Sequence, residues 1–173
     1  MKAIAQLVLL HMLLLLTLAG CGYRPLGSGG ISDLPLTVKT IAIGTLKNRT
    51  LRPTIQPALK EALIRRFAAD ARIRVVEEGA DALLEGAIEG FGEEPLAFDS
   101  TDTARRLRVS ISFSFTLKDR LKDRVLLRDG VAGVAYYLAA PGVAATRAAE
   151  DEATLRAVAD LAERVVNRVV DGV

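Results

Sequence analysis

Apolar and polar positions alternate most regularly from residue 107 to 117: Leu107, Val109, Ile111, Phe113, Phe115 and Leu117 are separated by Arg108, Ser110, Ser112, Ser114 and Thr116. A period of two places the first set on one face of a strand and the second on the other. A similar alternation over Thr37 to Leu46 predicts a first strand with Ile41 and Ile43 inward. Lys47-Asn48-Arg49-Thr50 breaks it, and Pro53 or Pro57 suits the first turn of a helix. On that helix Ile55, Leu59, Leu63 and Phe67, flanked by Ala58 and Ala62, form one apolar stripe. Arg72 to Glu77 predicts a short strand with Ile73 and Val75 on one face. Ala80 to Phe91 predicts a third strand, weakened by Gly86 and Gly90. Gly92 to Thr103, rich in Glu, Pro, Asp, Ser and Thr, reads as a loop.

After the strand from 107 to 117, Val125 to Leu138 predicts its antiparallel partner, with a break near Asp129-Gly130. A last helix is expected from about Arg147 to Val170. Its buried stripe is Leu155, Val158, Ala162, Val165 and Val169, with Glu150, Asp151 and Glu152 near the positive end of its dipole. Two amphipathic helices need one apolar sheet face to cover, and the face of Leu107 to Leu117 offers it. The predicted fold is α+β with two layers, a mostly antiparallel sheet carrying both helices on one face, in a single domain over residues 37–173.

Residues 1–20 differ in kind. Lys2 precedes an apolar run from Leu7 to Leu18, which Leu18-Ala19-Gly20 closes. The run is short for a spanning helix and is followed by loop formers, the pattern of a signal peptide. Leu18-Ala19-Gly20-Cys21 resembles the lipobox of bacterial lipoproteins, which implies thioether attachment of diacylglycerol to Cys21, cleavage before it and acylation of the freed amine. Several acyl chains together hold a protein stably on a membrane. Gly22 in place of Asp implies, by that resemblance, the outer membrane. The Gly/Pro/Ser-rich residues 21–36 read as a tether.

Cleavage there would remove His11, the sole histidine, and commit Cys21, the sole cysteine, to lipid. Nucleophilic triads and His- or Cys-based metal sites are thereby excluded, and the carboxylates of Glu77-Glu78, Glu93-Glu94, Asp99 and Asp102 show no spacing that demands catalysis. The chain is therefore expected to be a binding protein, with no enzyme activity, cofactor or metal. Half of it is apolar but only 5% is aromatic, so its core must come from aliphatic side chains. The net charge of +2 is spread along the chain, which gives no footprint for nucleic acid.

Two local features remain as candidate sites. Arg105, Arg106 and Arg108 gather where the clearest strand begins, and Lys118, Arg120, Lys122 and Arg124 where it ends. Arginine clusters can engage phosphates bidentately, although Asp119 and Asp123 offset the second group. Ser110, Ser112, Ser114 and Thr116 form a face of small uncharged residues that another protein's wall could approach closely.

The start Cys21-Gly22-Tyr23-Arg24-Pro25, the segment from Thr40 to Thr50, the Ala80-Asp-Ala-Leu-Leu-Glu-Gly86 strand, the alternating hairpin and the last helix resemble, in that order, the LptE family of lipopolysaccharide-assembly lipoproteins. The resemblance implies a plug inside an LptD-like outer-membrane β-barrel that helps deliver lipopolysaccharide to the cell surface. On that view Ser110, Ser112, Ser114 and Thr116 face the barrel, and Arg105, Arg106 and Arg108 contact the glycolipid. The Thr40 to Thr50 pattern is also similar to envelope lipoproteins of the LpoB and CsgG kind. That alternative implies a peptidoglycan-synthase activator or a secretion-assembly subunit.

Overall fold

A computed structural model describes residues 38–98, 100 and 104–171. The predicted signal peptide, the tether and Cys21 lie outside the described residues. Within them the order is β1 (Thr40–Asn48), α1 (Ile55–Ala68), β2 (Arg74–Val75), β3 (Ala82–Phe98), β4 (Ala104–Asp119), β5 (Arg124–Leu138) and α2 (Val143–Asp171). The strands form one sheet in the order β2-β1-β3-β4-β5. β1 runs parallel to both β2 and β3, whereas β3, β4 and β5 are antiparallel neighbours. The sheet is thus mixed, with its antiparallel part the larger. Both helices pack on the same face and against each other, so the architecture is the expected two-layer α+β.

The core is the apolar set of β4, from Leu107 to Leu117, under the buried stripes of the helices. In α1 these are Ile55, Leu59, Ala62, Leu63 and Phe67, as the spacing predicts, with Pro57 in the first turn where its missing amide costs nothing. The loop before α1 is held by Asn48, whose Oδ1 accepts bonds from the Thr50 amide and hydroxyl while its Nδ2 donates to the Arg52 carbonyl. A side chain that replaces backbone partners in this way ends a strand cleanly. At the other end of β1, Asp81 Oδ2 accepts from the amides of Lys39 and Thr40 and from the Thr40 hydroxyl, at 2.8–2.9 Å. This knot ties the start of β1 to the start of β3.

Several boundaries differ from those predicted. β1 runs on through Lys47 and Asn48, with an irregularity between Ile43 and Leu46; Ile41, Ala42 and Leu46 are buried and Ile43 is half-buried. β2 is reduced to Arg74 and Val75, although Ile73 beside it is buried. Gly92 to Phe98, read as loop, is strand paired with β4. Every residue from Gly92 to Phe98 is exposed, so no burial imposes an alternating pattern there. Backbone pairing and a few side-chain contacts, with no buried apolar residue, hold this arm, and Pro95 and two register shifts interrupt its outer part. No break occurs at Asp129-Gly130, where Asp129 pairs with Phe115 and Gly130 with Ser114; the irregularity of β5 lies instead between Val125 and Leu127.

α2 begins at Val143, about one turn earlier than predicted. Glu150, Asp151 and Glu152 therefore lie two turns inside it, and its first turn holds no acid. Glu150 instead pairs with Arg52, and Glu152 with Arg156. Leu155, expected in the stripe, is 61% exposed; the buried positions are Ala153, Ala157, Val158, Leu161, Ala162, Val165, Val166 and Val169. At 100° per residue Leu155 stands about 200° from both Ala153 and Ala157, on the far side of the helix. Close approach of α2 to the sheet explains the use of alanine, and Gly133 of β5 lies directly beneath Ala157 and Leu161. Asp160 accepts from the Val134 amide at 2.9 Å and Arg156 donates to the Tyr136 carbonyl at 3.0 Å. The helix in this way engages backbone groups that an edge strand would otherwise present to another chain.

Candidate partner-binding face

Because β4 is buried on one face only, its period of two turns Ser110, Ser112, Ser114 and Thr116 to the side away from the helices. Across β3 and β5 the neighbours of the three serines carry no long side chain, whereas Thr116 lies between Glu85 and Arg128. Gly92 and Val134 flank Ser110, Gly90 and Ala132 flank Ser112, and Ala87 and Gly130 flank Ser114. A Cβ at Gly90 or Gly92 would come within 3.0 Å of the Ser112 or Ser110 hydroxyl. Around Ser110 and Ser112 the strip is therefore a low polar surface, and long side chains gather only beside Ser114 and Thr116.

Charges rise at both ends of this strip. Toward β1, Ser114 donates to Glu89 Oε1 at 2.6 Å, and Arg49 Nη1 lies 2.7 Å from Glu89 Oε2. The Ser114 bond first, and the Arg49 charge after it, hold the Glu89 carboxyl below its usual range. Lys118 pairs with Glu85 across the same strands at 2.8 Å. Thr45, Lys47, Glu85, Ala87, Thr116 and Arg128 lie around an open trench of about 440 Å³. Lys47 and Arg128 were not singled out from the sequence. Lys47 reads as the start of the break after the first strand and Arg128 as one residue of a strand with a break near it, and only the β1-β3-β4-β5 order joins them.

The arginine cluster is divided. Arg106 and Arg108 share the open face with Ser110, whereas Arg105 has the parity of Leu107 and borders the start of α2. The Arg106 guanidinium sits over the Tyr136 ring, 5.2 Å from its centroid, a diagonal cross-strand pair. Arg108 pairs with Glu94 of β3. Such exposed pairs contribute about 0–1 kcal/mol, so these arginines do not owe their positions to stability. Around them the hairpin arm exposes Leu96, Phe98, Tyr136 and Leu138, the last at 67%. Cationic and apolar side chains together suit an anionic amphiphile better than a soluble anion.

At the β4–β5 turn, Asp119 is the only buried charged residue among the described ones, and it serves the turn. Its Oδ1 accepts from the Leu121 and Lys122 amides, and Arg124 lies 3.8 Å from its Oδ2. Asp123 takes the left-handed conformation at φ 46° that closes the hairpin. Of the basic residues there, Lys118 and Arg124 have carboxylate partners.

On the helix side, Tyr137 is pushed up to about 12, chiefly by burial and then by the Glu93 carboxylate. Arg52 stacks on Phe91 at 4.6 Å and pairs with Glu150. These contacts fasten α2 to the hairpin arm. Among the described residues no group of three or more His, Cys, Asp or Glu side chains is placed to hold a metal ion. No helix among them is long and apolar enough to cross a membrane.

The model of the family described as "LptE: Lipopolysaccharide-assembly" matches residues 38–169. No curated protein sequence matches the chain. Similar folds occur in a protein from Xanthomonas campestris (TM-score 0.56, 15% identity, 80% of this chain and 88% of that one). They occur also in lipoprotein B from Nitrosomonas europaea (0.52, 16% identity, 83% and 91%). A minor lipoprotein from Acinetobacter baumannii is a third (0.50, 12% identity, 80% and 95%). At these identities the likeness extends to the fold alone.

Proposed function

Because the chain belongs to the LptE family, we propose that it is an outer-membrane lipoprotein, anchored through Cys21, that plugs an LptD-like β-barrel. There it aids delivery of lipopolysaccharide to the cell surface. The observation that carries this reading is the family match over residues 38–169, nearly the whole described domain. The open face is consistent with it. The small strip of Ser110, Ser112, Ser114 and Thr116 lets a barrel wall approach to backbone distance. Arg106 and Arg108, set among exposed apolar side chains, suit the phosphates and acyl chains of a glycolipid.

The task is binding. A plug works by shape, by exclusion of solvent and by charges that guide an anionic lipid, and none of these requires a nucleophile or a metal. Arg105 contributes from the helix side of the same arm, so the glycolipid contact is drawn to Arg106 and Arg108 first and to Arg105 second.

The test is purification of the acylated protein in mild detergent, with identification of its partner. A large outer-membrane barrel is expected, and Ser112→Lys with Ser114→Lys should reduce its recovery while the melting curve stays unchanged. Recovery of a peptidoglycan synthase, or of the barrel in full with both lysines present, would refute the plug. For the glycolipid, Arg106→Ala with Arg108→Ala should lower lipopolysaccharide binding more than Arg105→Ala alone; intact binding in the triple variant would remove all three from the contact.

A further inference from the structure

The trench on the open face has a charge pattern that folding does not use up. Its floor is formed by Ala87 and Ser114, with Gly130 beside them on β5, and its walls are the long side chains of β1, β3, β4 and β5. Four cations, Lys47, Arg49, Lys118 and Arg128, meet two carboxylates, Glu85 and Glu89. The carboxylates are taken by Lys118 and Arg49 at 2.8 and 2.7 Å. Lys47 and Arg128 remain, exposed and without an ion pair among the described residues, on the two sides of the trench.

This surplus is distinct from the arginines on the hairpin arm. Ser114 lies six residues along β4 from Arg108, about 20 Å in a strand. The occupant must also tolerate Glu85 and Glu89. A phosphate carries about −1.5 to −2 charge and would sit beside two carboxylates, whereas a singly charged carboxylate finds the partners that Glu85 and Glu89 already exemplify. The floor is low enough for a strand wall to lie across it, and the cations stand where side chains of such a wall would descend.

Resting on the reading that a protein wall meets this face, we propose that the trench docks acidic side chains of that wall, Lys47 and Arg128 each holding a partner carboxylate. Charged pairs of this kind fix register and partner choice more than affinity. They would set how far the domain sits along the wall, which in turn places Arg106 and Arg108.

The acylated full-length chain, co-purified with its barrel, is treated with a zero-length carbodiimide. The reagent activates a carboxylate, the Lys47 amine attacks that carbon, an amide forms and the reagent leaves as its urea, so water is lost overall. Peptide mapping is expected to find Lys47 joined to an Asp or Glu of the barrel, and Lys60 on the exposed side of α1 not joined to it. The variant Lys47→Glu with Arg128→Glu should lower barrel recovery about fivefold to thirtyfold at low salt, with the difference closing at high salt. Lys47→Gln with Arg128→Gln, which introduces no repulsion, should give a smaller loss of the same sign. Full recovery with both double variants, or Lys47 joined only to Glu85 or Glu89, would overturn the trench as a docking site while leaving the plug reading intact. Loss of lipopolysaccharide binding with the barrel fully retained would assign the trench to a lipid phosphate and overturn the proposal. If no barrel accompanies the unmodified chain, the plug reading falls and this one with it.

Discussion

Gly133 and Gly130 stand three residues apart in β5, and alanine at each should have opposite consequences. A Cβ on Gly133 would lie 2.2 Å from the Ala157 carbonyl oxygen, 2.5 Å from Leu161 Cβ and 2.7 Å from the Leu161 nitrogen. Ordinary contact needs roughly 3.4 Å or more, and two of these three atoms are backbone, so α2 would have to retreat by about 1 Å. That retreat loosens Ala157 and Leu161, both fully buried, and stretches the bond from the Val134 amide to Asp160. Overpacking costs about 1–3 kcal/mol, and a hydrogen bond to a charged group contributes about 1.5–3 kcal/mol. Because both act through one helix they do not simply add, and Gly133→Ala should cost about 2–4 kcal/mol. With a urea slope of about 2 kcal/mol/M, the middle of the usual range, the midpoint should fall by about 1–2 M. At Gly130 the nearest atom to a new Cβ is the Phe113 carbonyl oxygen at 3.9 Å. Gly130→Ala should stay within about 0.5 kcal/mol of the parent, and fewer unfolded conformations favour a gain. Urea unfolding of the full-length variants in mild detergent, followed by far-ultraviolet circular dichroism, measures both. Equal midpoints for the two would refute the close packing of α2 on β5.

Two pH dependences and one surface variant complete the expectations. The Asp81 carboxyl is held below its ordinary value, first by the Lys39 amide and then by the Thr40 hydroxyl and amide. Its contribution is therefore complete above the unfolded value of about 3.9 and is lost as pH falls through the lower folded value. Asp81→Asn should flatten the acid limb of a stability–pH curve, and an unchanged limb would remove the knot from the account. Tyr137, raised to about 12 by burial, favours the fold below the unfolded value of about 10 and loses that advantage as pH rises through 12. In a spectrophotometric titration Tyr137→Phe should delete the latest phenolate to form; if that phase persists, the late tyrosine is another one. Asp160→Ala should cost about 1–3 kcal/mol through the unpaired Val134 amide and raise the tendency of β5 to self-associate, read by light scattering. A variant as stable and as soluble as the parent would show that the helix cover alone protects this edge.

Burial on one face writes itself into a sequence, and burial on none does not. The strand of Leu107 to Leu117 and the stripe of α1 were legible because the core selects every second residue of one and every third or fourth of the other. Ser110, Ser112, Ser114 and Thr116 followed from the same period, and so did their position away from the helices. The parity that sets Arg105 with Leu107 was present as well, but three neighbouring arginines read as one cluster until the strand's beginning at Ala104 divided them. Gly92 to Phe98 carried no comparable signal, since the arm is exposed and only pairing with β4 makes it strand. Leu155 misled for the converse reason: an apolar residue near a stripe is not in it when the helix turns it outward. The sequence by itself therefore determined the helices, the amphipathic strands and the separation of a core face from an open one, all of which are local consequences of period and solvent. Only the tertiary structure decided the parallel seat of β1 beside β3, the approach of α2 over Gly133 and the placing of Lys47 and Arg128 around one trench. Each of these depends on which distant segments pair and in what register, and no local pattern of hydrophobic burial specifies that choice.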